Sequence, residues 1–297
     1  MNKIKEFTEQ YRKKQGSFRE SMGEAMGVGP WPSSTKKQIN MLVDGELTGK
    51  NFVNMFTFNY AKERIANRRR HETFDEYRLY NNMLSSQPMA FNLFCPFIQM
   101  LRDGKTELVS SIFQSIFPDM AIKDVTEVKL EFLPDDIENY VNDRTAMDVI
   151  VRYTDTDNLP SFIAIETKYT DVLGTNTASD YSRHKEWIKR LGMFNEYAED
   201  ELISGKKPIT QIYRNFLLTE SYGVETGVHR CYSIVLAPAQ HPTTTKEVSS
   251  LQEELKPEYK HKISSVTLEY FIDTTLSHCN SNDATPFVYF KNRYLIE

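Results

Sequence analysis

Two acidic side chains and a lysine are spaced so that they meet if the chain folds back on itself. Asp148 lies in the apolar run 146–153 (AMDVIVRY), and Glu166 and Lys168 lie in the run 161–169 (SFIAIETKY). The polar, turn-rich segment 154–160 (TDTDNLP) joins them at hairpin length. With the loop centred near Asp157, facing residues have numbers summing to about 314, which sets Asp148 opposite the neighbourhood of Glu166. Side chains alternate along a strand, so Glu166 and Lys168 share a face and Thr167 takes the other. Two carboxylates and one ammonium then converge at one edge of a sheet.

Their flanks make this costly. Met147 and Val149 bracket Asp148, and Ile163, Ala164 and Ile165 precede Glu166, a pattern of central strands rather than a solvated face. Neighbouring buried carboxylates repel, and one takes up a proton unless a cation lies between them. A divalent ion resolves the conflict. An all-oxygen set with retained water suits Mg²⁺ or Mn²⁺, and no His or Cys is near in sequence. The plainer alternative is an exposed i, i+2 pair with Asp148 in a turn.

The pattern D-x(17)-E-T-K on a hairpin, preceded by a helix bearing Glu107, resembles the PD-(D/E)xK nuclease superfamily, whose fold is that of restriction endonucleases. The resemblance implies an α/β domain, a mixed sheet flanked by helices, and Mg²⁺-dependent hydrolysis of phosphodiester bonds, with DNA as the expected nucleic acid. It implies Asp148 and Glu166 as metal ligands, Lys168 as the group that positions or activates the attacking water, and Glu107 as the first-helix acid. Met147 stands where the motif has proline, which sets backbone geometry and binds no metal. Gln211-Ile-Tyr-Arg214 resembles the QxxR or QxxY element of the exonuclease-like branch, making Gln211 and Arg214 substrate-binding candidates, although both could be ordinary solvated helix residues. Segment 85–94 (SSQPMAFNLF) looks like a feature of a bacterial branch, and its role does not follow from its chemistry. The resemblance covers about residues 85–240. A non-catalytic nucleic-acid-binding or structural module on the same fold is the alternative.

Around this motif, the hydrophobic pattern assigns the elements. Leu108, Ile112 and Ile116 recur every four residues across 105–117, giving an amphipathic helix stopped by Pro118. Strand patterns cover 125–133, 146–153 and 161–169; helical patterns cover 52–69, 183–202 and 209–219. Strand-like runs follow at 228–236 and 263–272. This order gives an α/β fold, a mixed sheet covered by helices. We divide it into a helical N-terminal extension (1–84) and a nuclease-like domain (85–297).

The overall charge argues against a nucleic-acid partner. The 297 residues hold 36 Lys+Arg and 41 Asp+Glu, a net charge of -5, where a nucleic-acid-binding domain is usually basic. The acidity is local, however: residues 119–148 carry nine acids and three bases, so the rest of the chain is close to neutral. The run 64–71 (RIANRRRH) could grip a phosphate backbone, with Arg68 and Arg69 the expected contacts; cations closing a helix are the equal alternative. Other chemistries find no support. Residues 45–51 (GELTGKN) have the wrong glycine spacing for a P-loop, and no GxSxG, HExxH or EF-hand pattern occurs. The three cysteines, 95, 231 and 279, lack zinc or disulfide spacing. No apolar run reaches the ~20 residues of a membrane span, and the first residues carry no export signal. A cytoplasmic protein is expected, without membrane partners and with a homodimer left open.

Overall fold

The strands are built from β-branched and aromatic residues, and their burial shows which are central. Strand β3 (Pro160–Thr167) is buried at every position after Pro160, and β4 (Arg230–Ala237) at every position after Arg230. Strands β1 (Ile122–Phe132) and β2 (Met147–Asp155) show more alternation, and β5 (Ile263–Thr267) is the shortest. In this computed structural model, which describes residues 3–69, 72, 74–175 and 181–296, the five form one sheet in the order β1-β2-β3-β4-β5. The first two pairings are antiparallel and the last two parallel. The mixed sheet inferred from sequence is present.

Helices cover both faces. On one side lie α1 (Lys3–Ser21), α2 (Gly45–Thr48), α3 (Met55–Ala66), α4 (Glu76–Asn81), α5 (Ser86–Arg102) and α6 (Thr106–Ile116), with α11 (Leu268–His278) and α12 (Ser281–Tyr294) from the other end of the chain. On the other lie α7 (Ser182–Leu191), α8 (Glu196–Ser204), α9 (Gln211–Thr226) and α10 (Thr244–Glu254). Each side has its own apolar cluster. Ile163 and Ile165 of β3 point into the first, while Phe162 and Ala164 point into the second, as two-residue alternation requires. Phe7 and Tyr11 of α1 belong to the same cluster as Val149 and Ile163, so the N-terminal segment packs into the nuclease-like core.

Two expected elements are divided by local chemistry. The helical pattern over 183–202 becomes α7 and α8, because Gly192 takes a left-handed φ of 60° and Asn195 accepts the Ala198 N–H to begin a new helix. The run 263–272 starts as β5 and turns into α11, where the Thr267 hydroxyl accepts the Tyr270 N–H. Short polar caps override the apolar pattern in both places.

Candidate active site

The hairpin register is the one the spacing implies. Val149 pairs with Ile165 and Ile150 with Ala164, which places Asp148 and Glu166 side by side one step further on. The turn that fixes this register is held by Asp155, whose Oδ1 accepts the N–H groups of Asp157 and Leu159 at 2.9 and 3.0 Å. On β1, Leu130 pairs with Val149 and Phe132 with Met147, so Glu131 stands next to Asp148. Three carboxyl-bearing positions therefore lie abreast on three adjacent strands.

They form the floor of a cleft of about 810 Å³, lined also by Lys168, Gln211 and Asp171 and, from the opposite wall, by Asp75, Glu76, Arg78 and the start of α5. A smaller recess of about 240 Å³ shares Glu131, Asp148, Glu166 and Gln211 and is closed by Arg144, Thr145 and Arg214. Every charged floor residue is anchored. Asp148 Oδ2 accepts the Thr167 N–H at 2.7 Å and its hydroxyl at 2.8 Å. Lys168 Nζ lies 2.8 Å from Glu166 Oε1 and donates to Gln211 Oε1 at 3.2 Å.

The first turns of α9 hold Glu166 by both oxygens. Gln211 Nε2 donates to Oε1 at 2.8 Å and Asn215 Nδ2 donates to Oε2 at 2.7 Å. Neither amide can flip without loss. Gln211 Oε1 accepts the Gly174 N–H at 2.7 Å, and Asn215 Oδ1 accepts the Thr145 hydroxyl at 2.8 Å. Replacing Asn215 with Leu removes one donor at similar volume. We expect divalent-cation affinity or cleavage to fall about 10- to 100-fold, the usual effect of losing a group that orients a ligand, measured by cation titration and rate on one preparation.

Protonation reflects the crowding. Burial, then the charges of Glu166 and Glu131, push the Asp148 carboxyl well above the usual carboxylate range, although Lys168 and the Thr167 N–H oppose this. Burial likewise raises Glu131 to about 7, with Glu166 adding to the rise and the Gln87 amide, which donates to Oε1 at 2.9 Å, opposing it. Burial disfavours the Lys168 cation, but Glu166 and Asp148 outweigh it and its pKa is raised. Lys168 is therefore a fixed positive charge at neutral pH. Glu131 also has a backbone φ of 52°, a left-handed conformation that costs an L-residue about 1 to 2 kcal/mol. Such strain at a cleft floor is characteristic of functional positions.

Not all the residues singled out in the sequence gather here. Asp148, Glu166, Lys168 and Gln211 do. Glu107 does not: it is exposed in the first turn of α6 and lines neither cavity, because α6 packs against β1 and α11. The third acid is Glu131, a strand residue. Arg68 forms an ion pair with Glu76, and Arg69 pairs with Glu72 and Asp135. Both lie outside the two cavities; Arg70 and His71 of the same run fall outside the described residues. Arg64 donates to the Leu130 and Glu131 carbonyls and secures the end of β1. Arg214 lines the recess, with its Nε on Asp143 at 2.7 Å. Segment 85–94 gains a role: Ser85 caps α5 by accepting the Gln87 N–H at 3.3 Å, and the Gln87 side chain reaches Glu131.

Asp143 anchors the recess wall. Burial would raise its pKa, but His184 and Arg214 outweigh burial and hold it at about 2. Because the folded value lies below the unfolded ~3.9, this stabilisation is complete above about pH 4 and is lost as pH falls through 2. We expect Asp143→Asn to lower stability by about 2 kcal/mol at pH 7 and to remove that part of the acid limb in urea titrations from pH 6 to 2.

A second group of side chains, away from the cleft, could hold a metal ion. Among the described residues, Asp155, Asp157 and His229 bring their ligand atoms within 4.8 Å of one another; Glu131, Asp148 and Glu166 are not drawn together to that degree. Asp155 lies at the other end of β2, roughly 23 Å from Asp148 at ~3.3 Å per residue. Arg230 already pairs with both aspartates, and the His229 ring nitrogen lies 2.6 Å from Asp155.

The chain belongs to the PD-(D/E)XK nuclease superfamily: the family's sequence model matches residues 3–296. Neither the curated proteins nor the solved structures give a significant match. The sheet and its flanking helices agree with that family's restriction-endonuclease-like fold. Among the described residues no helix is long and apolar enough to cross a membrane.

Proposed function

We propose that this protein is a divalent-cation-dependent nuclease that hydrolyses phosphodiester bonds, with DNA as the expected substrate. The observation that carries this reading is the placement of Glu131, Asp148 and Glu166 abreast at the floor of a cleft, with Lys168 as their counter-charge. Three acids against one lysine leave an excess of negative charge, which adds to the burial that raises Asp148 and Glu131. The donor set is all oxygen. It fits a hard cation such as Mg²⁺ or Mn²⁺, with Asp148 and Glu166 as its holders and Glu131 beside them. When bound, that ion supplies a more acidic water and a Lewis acid facing the phosphoryl group.

The chain's own groups do the rest. Gln211 and Asn215 fix both oxygens of Glu166, so it does not have to reorganise as substrate arrives. Lys168, cationic and held between Glu166 and Gln211, orients a water through its remaining donors and stabilises charge developing on phosphoryl oxygens. Its raised pKa argues against a role as proton acceptor.

The test is cleavage of end-labelled single- and double-stranded DNA, and of RNA, by the purified chain with Mg²⁺, with Mn²⁺ and with EDTA. Cleavage of DNA that requires a divalent ion is expected. Absence of cleavage and of binding for every nucleic acid would overturn the reading in favour of a structural module.

A further inference from the structure

Arg144 stands apart from the other arginines. Among the described residues, every other arginine has an ion pair, a hydrogen bond or an aromatic ring against its guanidinium; even exposed Arg68 and Arg190 are paired, with Glu76 and Glu225. Arg144 has none of these and is exposed, yet it lines the recess beside Asp148 and Glu166. Its backbone is nevertheless firmly set. Asp143 before it is tied to His184 and Arg214, and Thr145 after it donates its N–H to Asp143 Oδ1 and its hydroxyl to Asn215. A long cation without a partner thus stands on a rigid pedestal at the mouth of the recess.

The larger cleft offers no comparable charge. Its two cations are Arg78 and Lys168, paired with Asp171 and Glu166. Six acids surround those two cations, whereas the recess has four acids and in Arg144 a guanidinium that none of them engages, with Arg214, itself paired to Asp143, alongside. We infer that Arg144 grips the phosphate next to the scissile one, so that the nucleic-acid strand leaves the site through the recess and over the 143–145 loop. Guanidinium suits the task because its planar donors engage two non-bridging oxygens at once. The inference rests on the nuclease reading and names the residue by which that site holds its polyanion.

The experiment uses the full chain carrying Asp148→Asn, which binds without turnover, and measures labelled DNA by fluorescence anisotropy over a series of KCl concentrations. Adding Arg144→Ala should weaken binding about 5- to 20-fold and reduce the slope of log K against log [salt] by about 0.7 to 0.9, the loss of one phosphate contact. Arg144→Lys should restore the slope and only part of the affinity. Arg190→Ala, which removes the same charge far from the recess, should change neither. Thermal midpoints should remain unchanged, since the exposed Arg144 side chain makes no hydrogen bond or ion pair among the described residues. An unchanged slope and affinity for Arg144→Ala would overturn the inference alone; no binding by the Asp148→Asn parent and no cleavage by the wild type would overturn the nuclease reading with it.

Discussion

Asp148→Asn should abolish cleavage, by about 10³-fold or more, and at the same time make the metal-free protein more stable. The two effects have one cause. Asp148 sits among other carboxyls in a protein-walled floor, and burial and like charge lift its pKa well above normal. A carboxyl whose folded pKa exceeds its unfolded value destabilises the fold at every pH above the unfolded pKa. Asparagine removes that penalty and keeps the structure's use of the residue: its Oδ1 can still accept the Thr167 N–H and hydroxyl that now bond to Asp148 Oδ2. Thermal melts in EDTA should show a higher midpoint for the variant at pH 8 and convergence with wild type near pH 4, where both forms are neutral. With Mg²⁺ the order should shrink or reverse, because only wild type gains from the ion. A variant less stable than wild type at pH 8 in EDTA would show that Asp148 is not under the strain assigned to it.

Lys168→Ala should have the opposite effect on stability. Lys168 is the cation within reach of Glu166, with 8% of its side chain exposed, and removing one partner of a buried pair leaves the other uncompensated. A loss of about 3 kcal/mol in EDTA is expected, together with a fall in cleavage of about 10²- to 10³-fold. Added Mg²⁺ should recover much of the stability and little of the rate, since an ion replaces the charge but not the donor geometry. The wild-type pH–rate profile carries the complementary test. A lysine that stays cationic gives no rise in rate through its own deprotonation between pH 7 and 10. An activity that follows such a deprotonation would make Lys168 a base and overturn this assignment.

How much of this was legible in the sequence depended on loop length. The 154–160 turn is short and polar, so its centre sets the register, and the Val149–Ile165 pairing conforms to the sum of 314 implied by the spacing. The partner of Asp148 on its other side was not legible. Between β1 and β2 lie fourteen residues, 133–146, with a short helical turn at Ile137–Asn139, and a connection of that length fixes no register. Glu131 was therefore one acid among nine, and Glu107 was singled out because the resemblance implies an acid on the first helix. Asn215 lies one helical turn beyond Gln211 and faces the same carboxylate; i, i+4 spacing from a residue already singled out was the available signal. The arginines at 64–69 illustrate the other limit. Composition counts their charge, but only the fold shows that Glu72, Glu76, Asp135 and two carbonyls of β1 already occupy them.

Beyond β3 the chain runs through Lys168 to Tyr169, whose hydroxyl accepts from Gln15 Nε2 at 2.8 Å and donates to the Tyr294 carbonyl at 3.2 Å. Gln15 also donates to the Arg293 carbonyl, 278 residues away, and the Arg293 guanidinium, fully buried and without an ion pair among the described residues, is held by Gln15 and Asn51. This knot imposes a temporal order on the molecule. Contacts of such sequence separation form late, because closing the loop must precede any reward for doing so. While the chain is being synthesised, the hairpin can pair as soon as its residues are free, but the anchor behind Lys168 is completed only when residues 293 and 294 meet residue 15. A nascent chain thus carries the charged residues of the site before the segment that follows them is anchored, and that anchor waits for helices from the two ends of the sequence to come together.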